Sequence, residues 1–385
     1  MELLEKLFEG LTHFGWQQAV MIVVGLVLIG LAIFRKYEPM LLLPIGFGCI
    51  LVNLPLATVL QNALGQDQFL RVLYNAGIAT ELFPLLIFIA VGAMIDFSPL
   101  LKQPVMIFFG AAAQLGIFTA MLLAVAAGTF IFTPEGGPIF TLREAAAVGI
   151  IGAADGPTTI FVGQLFAEKY IGALSVAAYS YMALVPVIQP PVIRALTTKE
   201  ERMIRMDSDI NVKVSRPVLI AFPILITIVT GFVAPEGVPL VGALMFGNLI
   251  RECGVLERLS KAAQNELANL VTLLLGITIG STMAAEKFIQ LDTLLILVIG
   301  LLAFVFDTAG GVLFAKFVNL FLKKKINPMI GAAGISAFPM SARIVQRMAQ
   351  QEDPSNFILM PAIGANVSGQ IGSIIAGAVI ISLLM

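Results

Sequence analysis

The chain has 385 residues, of which 58% are hydrophobic and 12% charged, and its mean hydropathy is +0.96. Soluble domains carry about 25% charged residues, so this composition excludes a soluble enzyme and a disordered chain. With 23 Lys and Arg against 24 Asp and Glu, it also leaves no basic excess for nucleic acid.

What remains is an all-α polytopic membrane protein with room for about ten spans at roughly 20 apolar residues each. Residues 1–17 hold Glu2, Glu5 and Lys6, a poor signal-peptide start, so the first span is expected as a mature helix. Apolar runs predict helices over about 18–34, 40–60, 82–95, 105–132, 171–196, 217–234, 238–252, 267–283, 289–322 and 356–385. Two further stretches, 141–166 and 327–350, are apolar but interrupted. The first contains Gly152-Ala-Ala-Asp155-Gly156-Pro157, and the second runs from Gly331 through Gly334 and Ser336 to Pro339. Proline removes a helical donor and distorts the turn, so neither stretch can be an unbroken helix.

The longest charged segment, 197–216, carries Lys199, Arg202, Arg205, Lys213 and Arg216, with Arg194 just before it. The positive-inside rule makes it a cytoplasmic linker. The basic clusters at Arg35-Lys36, Arg251 to Lys261 and Lys323 to Lys325 share that face only if each interrupted stretch enters and leaves on one side. Charge bias therefore favours two broken or re-entrant hairpins. Gly152, Pro157 and Gln164 recur as Gly334, Pro339 and Gln346, and Gly46-Phe47-Gly48 resembles Met245-Phe246-Gly247. Each half then holds five spans and one broken hairpin: a first repeat over 1–196 with its break at 141–166, and a second over 217–385 with its break at 327–350. Five crossings is odd, so the second repeat enters the membrane inverted, giving a transporter-like bundle with binding where the broken helices meet.

Asp155 sits centrally in the first break. A carboxylate at bilayer depth is costly unless paired, hydrated or ion-bound, and freed carbonyls beside it make an oxygen-rich site for Na+ or a proton. The bland alternative is a solvated break. The second break supplies Asn327, Ser336, Ser341 and Arg343. Arg343 is a fixed cation suited to a substrate carboxylate, or else a structural partner of Asp155. Tyr179 and Tyr181 point different ways on one helix, so at most one faces the site. Asn366, Ser368 and Gln370 form a polar run that serves either helix contact or an ion path, and Asp307 is a second intramembrane acid. Cys49, Cys253 and the lone His13 support neither a disulfide framework nor a metal site. An ordinary secondary transporter, either a Na+/H+ exchanger or a Na+-coupled dicarboxylate carrier, fits these residues equally well.

The blocks GIIGAADGPTTIFV, YSYMALVPVIQPPVIRALTTKEER, GNLIRECG, FDTAGGVLFAK, NPMIGAAGISAFPMSARIVQ and GANVSGQI go further. They resemble the membrane β-subunit of the sodium-pumping, biotin-dependent decarboxylases, a family with oxaloacetate, methylmalonyl-CoA, glutaconyl-CoA and malonate systems. The resemblance implies a bacterial or archaeal cytoplasmic-membrane subunit that decarboxylates carboxybiotin on a carrier subunit, moves Na+ outward and consumes a proton. It also implies a carboxyltransferase α-subunit, a small single-span γ/δ-type subunit and several β copies as partners, and no nucleic acid. Carried over residue by residue, it makes Asp155, Asn327, Asn366 and Ser336 candidates for holding Na+. Arg343 and Ser336 become candidates for carboxybiotin and Tyr181 for a proton relay, with Gly331 also matching a family position.

Overall fold

The computed structural model describes residues 12–62, 64–132, 136–206 and 214–385. Glu2, Glu5, Lys6 and Lys213 lie outside the described residues. Among the described residues the regular structure is helical, with two isolated β-bridges and no strand. The protein is a polytopic helical membrane protein.

The first helix, α1 (Trp16–Phe34), crosses α2 (Pro39–Asn53) at Gly25 and Gly46. A Cβ on Gly25 would stand 2.7 Å from the Gly46 carbonyl oxygen, so only glycine permits this approach. The expected 40–60 helix stops at Asn53, because Leu54 turns extended (φ −70°, ψ 132°) ahead of Pro55. A short helix, Phe69–Leu73, and a π-turn, Tyr74–Ile78, then lead into α3 (Leu82–Met94) through a 61° bend, with Glu81 left-handed (φ 62°).

The expected 105–132 helix is two segments, α4 (Met106–Ala113) and α5 (Leu115–Phe130). At their junction the Gly116 amide leaves the helical ladder and donates to Asp307 Oδ1 at 2.6 Å. Next come α6 (Leu142–Gly149), α7 (Gly156–Phe166) and α8 (Ile171–Leu196). After the linker, α9 (Arg216–Val233) and α10 (Val238–Glu252) lead to α11 (Ala268–Ser281), which extends a short helix from Glu257 through a second π-turn. The chain closes with α12 (Leu291–Phe321), α13 (Met340–Glu352) and α14 (Leu359–Leu384).

Every expected helix has a counterpart, yet seven described helices are long and apolar enough to cross a membrane, or eight counting the bent pair at α3. The expected count of ten is not carried by length. With 15 residues each, α2 and α10 reach only about 22 Å, against a hydrocarbon core of about 30 Å.

The packing places these short helices inside the protein. The α2 helix lies against α1 and α11, and α10 lies against α9 and α3. Both inner contacts are glycine crossings: Gly48 meets Gly280, and Gly247 meets the backbone beside Gly92. The outermost helices are α1 and α9, whose apolar side chains are mostly exposed. At the centre, α7 is buried from Gly156 through Gly163 and packs against α8, α14 and α3.

Candidate functional site

The first break is written in the local sequence. The α6 helix begins on a capping box of Thr141 and Glu144. It then tightens into a 3-10 turn, Ile150–Ala153. Gly152 in that turn lies so close to α5 that a Cβ would stand 2.6 Å from the Ile117 nitrogen. Ala154 turns left-handed (φ 54°, ψ 36°), which ends the helical run. Asp155 is extended at the head of α7, where Gly156-Pro157 opens a new helix.

Asp155 is 4% exposed. Its Oδ2 accepts from the Thr158 hydroxyl at 2.5 Å, from the Gln370 amide at 3.1 Å and from the Ser373 hydroxyl at 3.5 Å. Every one of these donors is neutral, so the carboxylate is solvated by side chains without an ion pair.

The second break begins after a single turn, Met329–Ala332. Residues 333–339 run without helix until α13 starts at Met340. Ser336 is buried and donates to the Gly369 carbonyl at 2.9 Å. Asn366 is fully buried and donates to the Ile335 carbonyl at 2.6 Å, while its Oδ1 has no partner. On the other side, Ser341 reaches Gln189 (3.0 Å) and the Ala332 carbonyl (2.9 Å), and Gln189 donates to the same carbonyl (2.8 Å).

One face of α14 therefore holds both breaks. Asn366, Gly369, Gln370 and Ser373 lie within about two turns, and the consecutive residues Gly369 and Gln370 bind Ser336 and Asp155 respectively. Asp155, Thr158, Ser373 and the free Oδ1 of Asn366 offer one negative and several neutral oxygens around this helix, a donor chemistry suited to a small hard cation. Among the described residues no three His, Cys, Asp or Glu side chains come together.

The other candidates sit apart. Arg343 is exposed on α13, with Arg347 four residues on, and makes no ion pair with Asp155. Asn327 is fully buried and donates to the Arg202 (2.8 Å) and Ile204 (2.9 Å) carbonyls, fastening the start of the linker. Tyr181 donates to the Leu297 carbonyl at 2.5 Å, with its ring edge-on to Phe304. Of the two tyrosines it is Tyr179 whose ring rests on Gly156, next to Asp155. Asp307 is buried at the α4–α5 junction, with Oδ2 unpartnered.

Sequence reasoning missed Thr158, Ser373 and Gln189. A signal existed for the first two. Thr158 follows Asp155 by three residues, and Ser373 follows Gln370 by three, so each lies one helical turn away. Gln189 lies between prolines and carried no such signal.

The sequence family described as the Na+-transporting oxaloacetate decarboxylase beta subunit matches residues 17–384. The methylmalonyl-CoA decarboxylase subunit beta of Veillonella parvula is 47% identical over 376 residues, covering 98% of this chain and 95% of its own length. The glutaconyl-CoA decarboxylase subunit beta of Acidaminococcus fermentans is 46% identical, with 98% and 96% covered. The oxaloacetate decarboxylase beta chain of Klebsiella pneumoniae is 43% identical, with all of both chains covered.

Proposed function

The chain belongs to the family of Na+-transporting oxaloacetate decarboxylase β-subunits, and from that membership we propose that it decarboxylates carboxybiotin and drives Na+ outward, consuming a proton. It is one chain of a multi-subunit decarboxylase whose activity is coupled to Na+ transport. Its partners on this reading are a biotin carrier, a carboxyltransferase α-subunit, a small single-span γ/δ-type subunit and further β copies, in a prokaryotic cytoplasmic membrane. The parent acid never reaches this subunit, so its residues do not select among the related systems.

The observation that carries the proposal is the meeting of two helix breaks on α14: Asp155 on Gln370, and Ser336 on Gly369. In this reading Asp155 supplies the charge of the Na+ site, and Thr158, Ser373, Asn366 and Ser336 supply neutral oxygens around it. Exposed Arg343 receives the carboxylate of the carried carboxybiotin. Loss of CO2 leaves negative charge on the biotin ureido group, which a fixed cation or proton donor stabilises. Moving one charge outward against 100 mV costs roughly 2.3 kcal/mol, so release of CO2 must change affinity at Asp155. Asn327 and Tyr181 act through position, one at the linker and the other on α12.

Ten crossings and an inverted repeat belong to the same proposal. Support comes from reciprocal packing: α2 on α11 mirrors α10 on α3, α1 on α2 mirrors α9 on α10, and α8 on α12 mirrors α14 on α4. With the linker cytoplasmic, all the basic clusters named above share the inner face. The start of α8 then lies outside.

Asp155→Asn in the assembled complex tests the reading. It predicts loss of Na+-dependent decarboxylation, and Na+-stimulated turnover persisting in that variant refutes it. Avidin-insensitive Na+ flux driven by a proton gradient or a dicarboxylate identifies the secondary transporter instead.

A further inference from the structure

Ions leaving Asp155 need a route to the outer surface, and one face of α8 has the features of one. At its start, Gly172 walls a cavity of about 300 Å³ together with Arg71, Glu168, Thr282 and Lys287. Three residues on, the Ser175 hydroxyl is fully buried with no hydrogen-bond partner. Seven residues on, the Tyr179 hydroxyl is in the same condition, at 2% exposure. Positions i, i+3 and i+7 share one helix face. At 1.5 Å per residue, Tyr179 lies about 10 Å below the cavity wall along the helix axis. Its ring covers Gly156, where an added Cβ would stand 2.7 Å from the hydroxyl, directly beside Asp155.

Buried serine and threonine hydroxyls on helices commonly bond back to a carbonyl one turn earlier. Those on neighbouring α11 do so: Thr278 donates to the Leu274 carbonyl (2.6 Å), and Ser281 to the Thr278 carbonyl (2.6 Å). Ser175 and Tyr179 do not, although each loses its hydration on burial. These two oxygens lie on one helix face between the cavity and the turn beside Asp155.

We propose that this face of α8 is the outward route of the cation, with the Ser175 and Tyr179 hydroxyls as successive ligands between Asp155 and the outer cavity. The Tyr179 ring is then the barrier that closes the site in the conformation seen. The mouth carries both signs of charge, Arg71 and Lys287 with Glu168. Lys169 is paired with Glu144 at 2.7 Å. The inference rests on Asp155 being the Na+ site and on the linker being cytoplasmic.

The test uses the intact complex in proteoliposomes, with Ser175→Cys placed in a Cys253→Ser background. A membrane-impermeant cationic thiol reagent is applied to each side in turn. Reaction from the outside alone, slowed at least five-fold by saturating Na+, is expected. Reaction only from the cytoplasmic side, or no reaction above the parent, overturns the route. Adding Asp155→Asn separates the two readings. Loss of Na+ protection with outside access retained supports both, whereas unchanged protection sinks the Asp155 assignment and leaves the route standing. As a second variant, Tyr179→Phe keeps the ring and removes one ligand. It should raise the half-saturating Na+ concentration about five-fold, and an unchanged value removes Tyr179 from the route.

Discussion

Gly369→Ala tests whether the two breaks must stay in register on α14. A Cβ at this position overlaps the Gly334 carbonyl and stands 3.1 Å from the Ile335 carbonyl carbon. Both obstacles are backbone, so neither yields by a rotamer change. Relief requires α14 to retreat by about 1 Å, and overpacking of this kind costs about 1–3 kcal/mol. That retreat stretches Ser336 to Gly369, now 2.9 Å, and Gln370 to Asp155, now 3.1 Å, past hydrogen-bond range. One neutral bond contributes about 1 kcal/mol and one to a charged group about 2 kcal/mol. The sum, about 3 kcal/mol, sets the upper limit of the effect, a Na+ site weakened by up to roughly a hundred-fold. Na+ activation of decarboxylation by the purified complex, measured with a thermal melt, reads both effects. Gly364→Ala on the same helix is the control, because its added Cβ stands 3.3 Å from Met106 Cγ and 3.4 Å from the Pro99 carbonyl oxygen, without the overlap found at Gly369. A Gly369→Ala complex with native half-saturation refutes the claim that α14 sets the site.

Other substitutions address separate parts of the account. Asn53→Ala removes a buried clasp in which the side chain donates to the Cys49 and Met283 carbonyls and accepts from the Ala285 amide, each at 2.8 Å. A loss of about 3 kcal/mol should appear as a lower melting temperature with Na+ half-saturation unchanged among surviving complexes. Arg343→Gln should depress decarboxylation of free or carried carboxybiotin at least ten-fold while leaving Na+ protection at Ser175→Cys intact; Arg343→Lys should recover part of the loss, since charge remains and the bidentate fork does not. Outside the spans, hydrogen bonds from Ser355 and the Arg205 guanidinium hold the Asp353 carboxyl below its ordinary 3.8. A depressed folded-state value stabilises the fold above the unfolded value, and the benefit disappears as pH falls through the folded one. Asp353→Asn should therefore flatten the acid limb of the melting curve below about pH 4, and an unchanged limb removes this contact from the account.

Much of this architecture was legible because its causes are local. Each of the ten apolar runs has a helical counterpart, one of them split in two, and Gly-Pro at 156–157 and Pro339 marked where the chain breaks. Asp155 stood out because a carboxylate among small residues at that depth has no cheap structural use. The ends of α2 and the split between α4 and α5 were less accessible. The first depends on Leu54 obeying its proline neighbour, and the second on the Gly116 amide choosing Asp307, a residue far away in sequence. Which distant side chains turn toward Asp155 was hidden for the same reason. Gln370 and Ser373 become ligands only when the last helix folds back against the first break. Choosing between Tyr179 and Tyr181 depended on helix rotation, which the apolar pattern around them does not fix.

The separation of Asp155 from Arg343 changes what coupling requires. An acid and a base sharing one pocket would be linked by direct electrostatics, but Asp155 is enclosed by neutral donors while Arg343 is exposed. What joins them is covalent and hydrogen-bonded structure. Arg343 lies on the first turn of α13, seven residues after Ser336; Ser336 is tied to Gly369, and Gln370, the next residue, holds Asp155. A carboxylate that draws on Arg343 pulls a short rigid helix whose leading end is fastened to the helix that solvates the cation site. Such a link transmits only a difference between two arrangements of the break, so carboxybiotin and its decarboxylated product must favour different ones. Removing the Ser336 hydroxyl, as in Ser336→Ala, should leave each end working in isolation while CO2 release and Na+ export fall out of proportion. A Ser336→Ala complex that keeps the native ratio of Na+ moved to CO2 released removes this path from consideration.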